Sequence, residues 1–114
     1  MKQTIQIKSF QFAVRIVNLC RYLQTEEKEY TLSKQLLRSG TSIGANVAES
    51  QQAQSRPDFI SKLNIALKEA GETDYWLRLM HETKYLSQKQ FESMITDCSE
   101  LERLLTSIIK TAKE

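Results

Sequence analysis

Four stretches of the chain repeat apolar residues at alternating steps of three and four, the spacing that lines one face of an α-helix. In the first, Phe12, Ile16, Leu19 and Leu23 recur this way with Ala13, Val17 and Cys20 beside them, which predicts a helix over residues 8–23 with one broad apolar face. The polar run Gln24-Thr25-Glu26-Glu27-Lys28-Glu29 breaks the pattern and reads as a loop. A second helix is expected from Thr31 or Ser33, either of which can cap it, to Gln54, with Leu36, Gly40, Ile43 and Val47 as its seam. A third is expected to start behind Ser55, with Pro57 in the first turn and Asp58 at capping-box spacing. Its seam, Phe59, Leu63, Ala66, Ala70, Thr73, Leu77 and Met80, has the periodicity of a helical bundle, while Ile60, Leu67, Trp76 and Leu79 lie outside it. The fourth opens on Ser87 with Gln90 three residues later, and Phe91, Met94, Cys98, Leu101, Leu105 and Ile108 carry its apolar stripe.

Short connections between long helices force neighbours antiparallel. The expected fold is therefore all-α, an antiparallel up-down four-helix bundle forming a single domain over 1–114. Composition supports this: three glycines and one proline in 114 residues cannot furnish the frequent turns of an all-β chain. No apolar run reaches the length that crosses a bilayer, and Met1-Lys2-Gln3-Thr4-Ile5-Gln6 lacks a signal core, so a cytoplasmic protein is expected. Cys20 and Cys98 both fall on apolar stripes and read as buried free thiols.

Candidate chemistry narrows quickly. A carboxylate-bridged di-iron site needs a Glu-x-x-His on each of two helices, but the only histidine is His81 and position 78 is Arg. One histidine and two apolar-face cysteines do not make a zinc site, and no serine or cysteine nucleophile has a histidine to activate it. The segment from Arg38 to Gly44 lacks the preceding strand and following lysine of a phosphate loop. Glu69, Glu72 and Asp74, flanked by Lys68 and Arg78, read as a solvated charged face. No catalytic residue, metal site or cofactor is expected.

Charge is unevenly spread although its net is only +2 at pH 7. Residues 1–25 carry Lys2, Lys8, Arg15 and Arg21 without an acid, residues 31–48 add Lys34 and Arg38, and residues from 63 onward hold seven basic and nine acidic side chains. A field of this shape either steers a polyanion or only keeps the surface soluble. Lys8, Arg15, Arg21, Lys34 and Arg38 are the candidate phosphate contacts. Helix two carries a further oddity. Gly40, Gly44 and Ala48 lie on one line, and interior glycine costs about 1 kcal/mol relative to alanine, so close approach of another helix is expected there. Ser39, Ser42, Asn46 and Glu49 form a polar stripe that either faces water or hydrogen-bonds across a helix or subunit interface. Ser39, Gly40, Ser42, Gly44, Asn46, Glu49 and Trp76 are the candidate helix or subunit interface positions.

The run from Gln35 to Glu49, above all Thr41-Ser42-Ile43-Gly44-Ala45-Asn46-Val47-Ala48-Glu49, is followed by Ser55-Arg56-Pro57-Asp58-Phe59 and by Ala66 to Leu77. Together they resemble the four-helix-bundle proteins encoded in intervening sequences of bacterial 23S ribosomal RNA genes, some labelled S23 ribosomal protein. The likeness is strongest over residues 33–80, and Ser50 stands where that family usually has glycine, which bears on where helix two ends. The resemblance implies ring-like homopentamers, no established enzymatic activity, and a fold similar to the accessory protein of diversity-generating retroelements, which partners a reverse transcriptase and binds nucleic acid. Two functions follow as expectations: an oligomeric scaffold that binds RNA or DNA through its basic surface, or a protein-interaction and self-assembly module that does not, with Trp76 and Leu79 on the contact surface.

Overall fold

In the computed structural model, which describes residues 2–114 and leaves the side chains of Lys2 and Gln3 outside the described set, four helices follow one another: α1 (Lys2–Thr25), α2 (Thr31–Ser50), α3 (Arg56–Glu82) and α4 (Gln88–Lys113). Each packs on its neighbour in sequence and α4 returns to α1, while among the described residues the backbones of the diagonal pairs stay apart. This is the up-down bundle, 44 × 20 × 19 Å overall. Cross-helix pairs fix the antiparallel register: Arg38 meets Glu72 and Glu49 meets Lys62, so α2 descends as α3 rises.

The core is one column built from the heptad positions. α1 gives Ile5, Phe12, Ile16, Cys20 and Leu23, and α2 gives Leu36, Ile43 and Val47. From α3 come Leu63, Ala66, Ala70, Thr73, Leu77 and Met80, and from α4 Met94, Cys98, Leu101, Leu105 and Ile109. At the end of α4 the stripe rotates by one residue, so Ile109 is buried and Ile108 only half-buried. Likewise Leu19, expected in the α1 seam, is half-buried and Cys20 takes the interior place.

The helix ends show where sequence patterns fall short. α1 begins near Lys2 rather than Lys8, because Ile5 extends the buried series one heptad back from Phe12. α2 ends at Ser50 and not at Gln54. There Gln51, Gln52 and Ala53 donate their N–H groups to Ala48, Glu49 and Ser50, a tightened turn that closes the helix. It has to close, since Ser55 is extended (φ −158°, ψ 167°) so that its hydroxyl can accept from Asp58 N–H and cap α3. Ser87 and Gln90 form the full reciprocal capping box at the start of α4.

The expected caps of α2 are replaced by a residue assigned to the loop. Neither Thr31 nor Ser33 caps it; the carboxylate of Glu29 accepts from Thr31, Leu32 and Ser33 N–H at 3.2, 3.1 and 2.7 Å. Glu29 is itself buried, and its negative charge sits at the positive end of the helix dipole. The turn before it is possible because Lys28 adopts a positive φ of 55°, which lets Glu29 N–H reach back to the Leu23 carbonyl at 3.0 Å.

Candidate interaction surfaces

Of the five candidate phosphate contacts, three are engaged within the subunit. Lys8 pairs with Glu100 at 3.1 Å, and Arg15 reaches Asp97 at 2.5 Å and the Ser93 hydroxyl at 2.6 Å. Both tie α1 to α4, the seam with the sparsest backbone contact. Arg38 pairs with Glu72 at 2.9 Å, and the same carboxylate oxygen accepts from the Trp76 indole at 3.1 Å. Exposed pairs of this kind contribute about 0–1 kcal/mol to stability, yet each must be broken before its cation can serve a phosphate. Arg21 and Lys34 are exposed and make no ion pair among the described residues.

The polar stripe of α2 runs along its seam with α3. Ser39 is fully buried, and its hydroxyl lies 3.0 Å from that of Thr73, which donates to the Glu69 carbonyl at 2.8 Å. Ser42 donates to the Arg38 carbonyl and Asn46 to the Ser42 carbonyl, both within α2, while Glu49 crosses to Lys62 at 3.3 Å. The glycines serve the other neighbour. A Cβ on Gly40 would stand 2.7–2.9 Å from three carbons of Ile16, and one on Gly44 would stand 3.1 Å from the Ser9 carbonyl oxygen. At Gly44 the α1 backbone itself approaches α2, as the small-residue line predicts; Ala48, the third of that line, is exposed. Trp76 is half-buried against the core and edge-on to Tyr75 with ring centroids 5.0 Å apart, and Leu79 is half-buried too.

The prominent surface feature is one the sequence reading passed over: it placed Ile7, Phe10 and Val14 on no face and set Val17 beside the core stripe. Ile7, Phe10, Val14 and Val17 are 55, 70, 46 and 37% exposed and step by three, four and three along α1. They lie opposite the buried series Ile5, Phe12, Ile16, Cys20 and Leu23, so α1 has two apolar faces and only one is covered. Val17 belongs to the outer face, not beside Ile16. Half a turn separates the two series, so the spacing in the sequence carries both, but not which of them the other helices cover. Ile65 and Tyr75 add exposed apolar surface on the diagonal helix α3.

Among the described residues, both thiols are buried and the histidine is stacked. Burial, with Glu29 nearby, pushes the Cys20 thiol up from 9.0 to about 12. Cys98 is raised further by burial, then by Glu102 and Asp74, and its thiol donates to the Ala70 carbonyl. Ligand atoms of Asp74, Cys98 and Glu102 lie within 4.8 Å of one another, but Arg78 already holds Asp74 at 2.6 Å and supplies that cluster's positive charge. Glu102 is raised, by burial first and then by the negative Asp74. His81 stacks on Phe91 with ring centroids 4.3 Å apart. Among the described residues, no helix is long and apolar enough to cross a membrane.

The family model for the 23S rRNA-intervening sequence protein matches residues 1–107. A crystal structure of a protein of unknown function from the S23 ribosomal protein family of Bacteroides thetaiotaomicron VPI-5482 superposes with a TM-score of 0.95 at 59% identity, covering 96% of this chain and 99% of that one. No curated protein matches the chain.

Proposed function

The chain belongs to the 23S rRNA-intervening sequence protein family, and from that premise we propose that it is a self-assembling helical scaffold, without a reaction of its own, that contacts further copies through the outer face of α1. The observation that carries this reading is the uncovered 3-4-3 series Ile7, Phe10, Val14 and Val17. Burying one large apolar side chain is worth about 1.5–3 kcal/mol, whereas association costs about 4–15 kcal/mol. One stray residue could not hold an assembly; four on one helix face, with the partner surface they cover, can. A homopentamer is the assembly that the family resemblance implies, and this stripe would give it an apolar contact. The protonated thiols and the stacked lone histidine support a non-enzymatic role. Val14→Glu places a charge in the middle of the stripe without touching the core. In light scattering it should fall to the subunit mass while keeping its helical circular dichroism; an unchanged assembly overturns the reading.

Nucleic-acid binding is the second reading, favoured by one observation: Arg21 near the end of α1 and Lys34 near the start of α2 are both exposed, unpaired among the described residues, and at the same end of the bundle. Repetition of this weak field in an assembly would strengthen it, and binding would fall with salt. Filter retention of RNA or DNA at low salt should be lost in Arg21→Glu with Lys34→Glu, and less affected by Arg15→Glu with Arg38→Glu. Retention that survives the first pair contradicts it.

A further inference from the structure

The end of the bundle away from the α1–α2 turn carries a cleft lined by described residues of all four helices and the α2–α3 connection. It opens where α1 and α3 begin and α2 and α4 finish, with a volume of about 1010 Å³. Its apolar wall is Ile5, Phe59, Leu104 and Ile108, of which all but Ile5 remain half-buried. That volume lies at the upper end of the range for sites that enclose an organic molecule, and is far larger than an ion requires. Among the described lining residues Arg56 is the charged side chain, and none of them is a carboxylate. Arg56 Nη1 donates to the Ala112 carbonyl at 2.7 Å, which ties the guanidinium to the end of α4 and, among the described residues, leaves its other N–H groups open to a ligand. The first turn of α3, where Arg56 sits, adds the positive end of a helix dipole.

We propose that this cleft binds a linear alkyl carboxylate of the fatty-acid class, its chain among Ile5, Phe59, Leu104 and Ile108 and its carboxylate on Arg56. Among the described residues the cleft sets one guanidinium beside an apolar wall, which suits one negative charge on an apolar body, whereas a neutral ligand would leave the guanidinium without use. The site is separate from the outer face of α1, none of whose four exposed apolar residues lines it. It stands whether or not the chain assembles.

Titration calorimetry of the intact protein with hexanoate, octanoate and decanoate tests the proposal. Affinity should rise about fourfold per methylene, the worth of one buried CH₂ group, and decanoate should bind about tenfold more tightly than decanol. Arg56→Gln should bring decanoate down to the decanol value and leave decanol unchanged. Ser107→Trp, at an exposed position lining the cleft, should abolish binding of both with an unaltered thermal melt. No binding, a flat chain-length series, equal acid and alcohol affinities in the wild-type protein, or undiminished binding in Ser107→Trp would each overturn it, the last by placing the alkyl chain on another surface.

Discussion

At Gly40 the space a methyl group would need is already filled by Ile16, which is fully buried in the core. At Gly71, on the exposed side of α3, nothing lies within 4 Å. The same substitution should therefore change sign between them. Gly40→Ala is expected to destabilise by about 1–3 kcal/mol through overpacking. Gly71→Ala is expected to stabilise by up to about 1 kcal/mol through helix propensity. Urea denaturation of the two variants checks both. Titration separates the thiols in a similar way. Because the Cys20 thiol is raised from 9.0 to about 12, the native state keeps a proton that the unfolded chain releases above 9.0. Its contribution to stability is complete below that pH and is lost as pH rises toward 12. Denaturation midpoints should therefore fall across this alkaline range, and less steeply in Cys20→Ala; parallel profiles for the two proteins would contradict the burial argument.

The helices differ in what holds them in place. α3 and α4 start on local serine caps that the sequence announces, while α2 depends on Glu29, whose carboxylate collects three N–H groups from the first turn. Glu29→Ala should cost about 1–2 kcal/mol, toward the upper end for a lost cap, and Thr31→Ala much less. Thermal melts of the two variants make the comparison. Glu29 was not legible as a cap because its role depends on the left-handed Lys28 that turns the chain back, and a lysine does not advertise that conformation as glycine does. The seams were legible for the opposite reason: a core stripe is written locally, in steps of three and four. Which of two stripes on α1 is covered is not local information, since it is set by where α2 and α4 lie. The cation pairings share this difficulty. Arg15 and Asp97 are 82 residues apart, so the basic excess of the first two helices could not be seen as partly neutralised until α4 was placed against α1.

For the whole molecule, the bundle and its sequential packing could be read from periodicity, and the resemblance over residues 33–80 identified a family whose model spans 1–107. The candidate phosphate surface was readable as composition but not as geometry, for three of its five cations turn inward to acids of the same chain. Among the described residues, the exposed apolar side chains that line up at heptad spacing are Ile7, Phe10, Val14 and Val17 on α1, and the central claim is that copies of the chain cover this face. Sedimentation equilibrium of the intact protein at micromolar concentration tests that most directly. The wild-type protein should have a mass several times the 13.2 kDa of one chain, and Phe10→Ser with Val14→Ser should reduce it to 13.2 kDa without loss of helix. A wild-type mass of 13.2 kDa, or an assembly that the double substitution leaves intact, would contradict it.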